Sequence, residues 1–75
     1  MEVEIKDLLR QTRRQADLSQ GEVSKILDVN LATVHNWERG KSQIPTTKLI
    51  DYFNKVLKQP MIVVVDGYQK RLVNS

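Results

Sequence analysis

The side chains with the most specific chemistry to offer lie between Asn30 and Lys41. Asn36 carries an amide that can pair in a bidentate way with adenine, or bond a phosphate oxygen. Leu31 and Ala32 offer apolar surface of the kind that meets a thymine methyl. The Thr33 hydroxyl can reach a phosphate or simply support its own helix. Arg39 and Lys41 are cations placed for phosphate oxygens. His35, the one histidine in the chain, suits a surface position near a DNA backbone, and it lacks the companions a metal site needs. The chain has no nucleophile-plus-base pair, no glycine-rich phosphate loop and no paired carboxylates on one face. Readout of an anionic polymer is therefore expected, with no catalytic residue, no metal and no cofactor.

The elements that must position these groups are two short helices joined by a tight turn, Ser19 to Gly40. Ser19 and Glu22 have the spacing of a capping box. Val23, Ile26 and Leu27 follow on one face at helical spacing. Asp28-Val29 leaves room only for a turn, and Asn30 is a good N-cap for the second helix. Val34 and Trp37 point that helix inward and Gly40 ends it. Leu31, Ala32, Thr33, His35 and Asn36 are left outside, a small and polar face that suits a DNA major groove.

A preceding helix is predicted from about Glu4 to Ala16, with Ile5, Leu8, Leu9, Thr12 and Ala16 inward. After the Lys41–Pro45 loop, Thr46 or Thr47 caps a fourth helix, about Thr47 to Leu57, whose stripe is Leu49, Ile50, Phe53, Val56 and Leu57. Gln59-Pro60 then changes the pattern. Met61 to Val65 is an unbroken apolar run rich in β-branched residues and reads as a strand. Asp66-Gly67 reads as a turn, and Tyr68 to Val73 as a weaker return strand. A lone strand or hairpin is marginal in water, so Met61, Ile62, Val63, Val64 and Val65 are expected to pair with a second copy of the chain. The division is residues 1–58 as a DNA-binding domain and 59–75 as a dimerisation tail.

The bulk properties agree with this scheme. Seventy-five residues make one domain with a small core. The net charge of +3 permits a nucleic-acid partner. No segment approaches the ~20 apolar residues of a membrane span. The acidic start, Met1 to Asp7, lacks the order of a signal peptide. With no cysteine in the chain, a cytoplasmic location is expected.

Leu18-Ser19-Gln20, then Val29-Asn30-Leu31-Ala32-Thr33-Val34-His35-Asn36-Trp37-Glu38-Arg39-Gly40, with Lys41 and Pro45 after it, resembles the Cro/C1-type (XRE) helix-turn-helix domains over about residues 4–58. Two positions depart from that pattern: Asp28 stands where the family usually has Gly, and Ser24 where it has Ala. The resemblance implies a mainly α, lambda-repressor-like bundle of four to five short helices, here with a C-terminal β-strand or hairpin. It implies that Gln20 bonds a phosphate and orients base-reading side chains. Leu31, Ala32, Thr33 and Asn36 would read base edges, while Arg39, Lys41 and Ser42 would meet the backbone. It also pairs Arg13 with Glu38 inside the protein; a DNA contact is the other role open to Arg13. The expected activity is that of a homodimeric repressor on a double-stranded operator. The tail is similar to that of HipB-like antitoxins, which implies a protein toxin, a HipA-type kinase, as an alternative partner; Cro repressors with a C-terminal hairpin match the Asp66-Gly67 turn about as well.

Overall fold

The computed structural model describes the backbone of residues 4–74 and the side chains of residues 4–71. Five helices follow one another: α1 Ile5–Gln15, α2 Gln20–Leu27, α3 Leu31–Arg39, α4 Thr46–Asp51 and α5 Met61–Asn74. α4 runs directly into a π-helical turn, Tyr52–Leu57. Among the described residues there is no strand. Packing of α1 and α2 on α3, of the π turn on α2, and of α5 on α1 closes the bundle.

Local chemistry explains the helix ends. The Ser19 hydroxyl accepts from the Glu22 N–H at 3.0 Å, and the Glu22 carboxylate accepts from the Ser19 N–H at 3.0 Å. The Ser19 N–H, then its hydroxyl, hold the Glu22 carboxyl below the usual carboxylate range. The joints before α2 and before α3 are built alike. Each has an aspartate in the left-handed region, Asp17 at φ 58° and Asp28 at φ 57°. An apolar residue packed on the core follows, Leu18 or Val29, and then the next N-cap, Ser19 or Asn30. In both joints the backbone closes a Schellman pattern, Leu18 N–H to Arg13 C=O and Val29 N–H to Ser24 C=O. Asn30 occupies its N-cap position without a side-chain cap bond. Pro45, rather than either threonine, is the N-cap of α4. Lys48 of α4 donates to the Leu27 carbonyl at 2.9 Å, placing a cation on the C-terminal end of α2.

The core is Leu8, Leu9, Val23, Leu27, Val34, Trp37, Tyr52, Phe53, Val56, Val64 and Tyr68. Each apolar side chain of this size contributes about 1.5–3 kcal/mol on full burial. Ile5, Ala16, Ile26 and Ile50, assigned inward from spacing, are exposed. The wide π turn shifts the phase, so that Tyr52, Phe53 and Val56 are buried together, with Tyr52 and Phe53 edge to face at 5.9 Å.

The tail corrects the sequence-based expectation. Met61 to Val65 is not a strand, Asp66-Gly67 is not a turn and Tyr68 to Val73 is not a return strand; all lie in α5. Three influences favour the helix. Pro60 sits just before the first turn and accepts from the Val63 and Val64 N–H groups. Val64 and Tyr68, four residues apart, both reach the core. Asp66 and Lys70 pair at 3.2 Å on the outer side. Through Val64 and Tyr68, α5 packs on α1.

Buried polar groups are satisfied. The Tyr52 hydroxyl lies 2.6 Å from Thr12 Oγ1 and donates to the Leu9 carbonyl at 3.0 Å, while Thr12 reaches the Leu8 carbonyl at 2.7 Å. Burial pushes the Tyr52 phenol up to about 12 against its ordinary 10.0. The unfolded chain therefore ionises first. Stability is full below pH 10 and falls as the pH rises towards 12, by about 3 kcal/mol for this group. Urea midpoints measured across that window should drop with pH, and less steeply in Tyr52→Phe. Some slope should remain, because burial also raises the Tyr68 phenol. An unchanged slope in Tyr52→Phe would refute the assignment.

Candidate nucleic-acid interface

α3 is anchored from below. Val34, Trp37 and Glu38 are buried on its inner side. Leu31, Ala32, His35 and Arg39 are exposed on the outer side, with Thr33 and Asn36 half-buried at its flanks. Leu31 is 54 % exposed, which is costly for a leucine unless a partner covers it. Asn30 is exposed at the start of the helix.

The C-terminal end of α3 turns sharply. Gly40 sits at φ 74°, and the Lys41 N–H returns to the Asn36 carbonyl at 3.0 Å. The Lys41 and Ser42 side chains are left exposed beyond it. The left-handed backbone is what favours glycine there; a Cβ on Gly40 would lie 2.8 Å from Lys6 Cδ, part of a flexible side chain that can move aside. That approach brings the Lys6 side chain beside Gly40, with its ammonium 3.8 Å from the Glu4 carboxylate. No spacing rule links residue 6 to residue 40; only the packing of α1 on α3 does.

One carboxylate ties three helices together. Glu38 is 4 % exposed. Arg13 of α1 donates to it through Nε at 2.7 Å and Nη2 at 3.0 Å, a bidentate pair. A further Arg13 donor, Nη1, reaches the Leu18 carbonyl at 2.9 Å. The bond to Glu38 raises the Arg13 guanidinium above its ordinary value. Gln20, the first residue of α2, donates from Nε2 to Glu38 Oε1 at 3.2 Å. Its Oε1 lies 3.4 Å from His35 Nδ1, and His35 Nε2 lies 3.5 Å from Arg39 Nη1. The structure thus brings Arg13, Glu38, Gln20, His35 and Arg39 into one continuous chain of polar contacts. Asn30, Leu31, Ala32, Thr33, Asn36, Lys41 and Ser42 lie outside that chain.

Among the described residues no group of three His, Cys, Asp or Glu side chains is arranged to hold a metal, and no helix is long and apolar enough to cross a membrane. Two short helices at a tight joint, the second with an outward face beside Arg39 and Lys41, define a helix-turn-helix DNA-binding protein. The helix-turn-helix family model HTH_3 matches residues 9–55. That is more than half the chain, which belongs to this family and is a Cro/C1-type (XRE) regulator that binds DNA sequence-specifically. No curated protein and no solved structure matches the chain. The family match ends before α5.

Proposed function

We propose that this chain is a homodimeric transcriptional repressor whose α3, with its N-cap Asn30, enters the major groove of an operator. The observation that carries the reading is the division of α3 into a buried face held by Arg13–Glu38 and an exposed face ending in Arg39. In this reading Asn30, Leu31, Ala32, Thr33 and Asn36 address base edges or the adjoining backbone. Gln20, His35, Arg39, Lys41 and Ser42 address phosphates.

A second copy of the chain fits the free side of α5. Met61, Ile62 and Val63 are 52 %, 78 % and 55 % exposed in consecutive positions, the kind of patch that marks an interface. Val65 is half-buried beside them, while Val64 is turned into the core of its own chain. Two-fold pairing would set two copies of α3 on successive major grooves, ~34–36 Å apart. The antitoxin alternative drew its support from a strand after the fourth helix. That segment is α5, and no observation favours a toxin over a second copy.

The test is selection of an operator from random duplexes, followed by binding and reporter assays. Asn36→Ala should lose about 1–3 kcal/mol of preference for the selected site per base contact. Lys41→Ala should weaken all duplexes alike and reduce the salt slope by about one unit. A protein that enriches no duplex, or a reporter that is activated, would overturn the reading.

A further inference from the structure

We infer that His35 is a positioning residue that couples the protein's grip on DNA phosphates to pH, through its contacts with Gln20 and Arg39. The inference rests on the DNA-binding reading of α3.

The direction of every hydrogen bond in the chain follows from its buried end. The Glu38 carboxylate can only accept when ionised, and its bidentate pair with Arg13 keeps it so. Gln20 must therefore face it with the NH2 end of its amide. That orientation points Gln20 Oε1 at His35, so His35 Nδ1 must carry a hydrogen. A neutral ring protonated on Nδ1 has a lone pair on Nε2, and the guanidinium of Arg39 faces that lone pair. Each contact satisfies the next, from a buried ion pair to an exposed arginine.

The arrangement holds only while the ring is neutral. A proton added at Nε2 removes the acceptor that Arg39 uses and places a second cation 3.5 Å from it. Nδ1 keeps its hydrogen, so the bond to Gln20 survives. The charged groups linked to the ring through these contacts are Arg39 on its own helix, and Glu38 with Arg13 of α1 behind the neutral Gln20 amide of α2. Glu38 is already engaged by Arg13 and Gln20. Arg39 is thus freed outward, where phosphates would lie, and the imidazolium adds a second positive charge to the same face. Both changes favour a polyanion, so acid should tighten binding.

The experiment uses the full chain and a fluorescein-labelled mixed-sequence duplex, since phosphate contacts do not depend on sequence. Anisotropy titrations at several salt concentrations are run at pH values from about 8 to about 5.5. The parent protein should bind severalfold tighter at the acid end, with the salt slope steeper by about one to two units. His35→Gln retains a group that can donate to Gln20 and takes up no proton, so its affinity and salt slope should be flat across the same range. Arg39→Gln should keep only the part of the response due to the imidazolium charge. A full acid response in His35→Gln, or a flat parent, overturns the role of His35 while leaving the DNA reading intact. A parent that binds no duplex at any pH overturns the DNA reading itself.

Discussion

Arg13→Met is expected to lower the free energy of unfolding by about 3–5 kcal/mol, as breaking one side of a buried ion pair does. Methionine keeps the apolar stem of Arg13, so the loss isolates the guanidinium. Without it, Glu38 remains 4 % exposed with the Gln20 amide as its remaining partner, and the Leu18 carbonyl loses its side-chain donor. Domains of this kind are stabilised by only about 5–15 kcal/mol, so the single variant should be near the limit of folding at room temperature. The double variant Arg13→Met/Glu38→Met removes the stranded charge and should recover much of the loss. Urea titration of the three proteins gives the comparison. A single-variant loss below about 1 kcal/mol would mean that the pair behaves as a surface salt bridge.

The second large effect belongs to α5. Tyr68 is 3 % exposed and Val64 7 %, and these two side chains bring α5 into the core. Tyr68→Ala should cost about 3–5 kcal/mol, the range for removing a large buried aromatic. The far-ultraviolet circular dichroism should weaken as α5 loses its seat on α1. Ile62→Lys acts on the opposite side of the same helix, where the native side chain is 78 % exposed. It should leave helicity and monomer stability unchanged. On the homodimer proposal, sedimentation should show the parent as a dimer and Ile62→Lys as a monomer under the same conditions. Retention of the dimer by Ile62→Lys would move the two-fold interface off α5; retention of full helicity and stability by Tyr68→Ala would mean that α5 is not seated through its tyrosine.

The helix-turn-helix was legible because its signals are local and agree with one another. Ser19 and Glu22 cap, Gly40 stops, and Val23, Leu27, Val34 and Trp37 repeat at helical spacing. The tail was not legible, for a specific reason. Five apolar residues in a row, Met61 to Val65, carry no phase, and such a run fits a buried strand or a helix equally well. β-branching then tips the choice towards a strand, whereas the helix is selected by Pro60 in front and by the tertiary contacts of Val64 and Tyr68. Ile50 was misplaced because a π turn begins two residues later and resets which side faces in. Among the site residues, the outward face of α3 followed from periodicity. The contacts of Gln20 with Glu38 and His35 did not, since they join side chains eighteen and fifteen positions apart across two helices.

The paired joints at Asp17 and Asp28 decide where this chain can grow. Each joint turns the backbone with one left-handed residue, buries one apolar side chain and starts the next helix at once. An added residue in either would displace Leu18 or Val29 from the core or pull an N-cap off its helix. Beyond the turn that the Lys41 N–H closes on the Asn36 carbonyl, Ser42 and Gln43 are exposed and bury no apolar side chain, yet they adjoin the outer face of α3. Length variation among close variants of this sequence should therefore be better tolerated in that loop than in either joint, and on the proposed phosphate role of Lys41 and Ser42 an insertion there would alter the grip on a DNA backbone. The angle between α2 and α3 would stay fixed while reach and affinity drift.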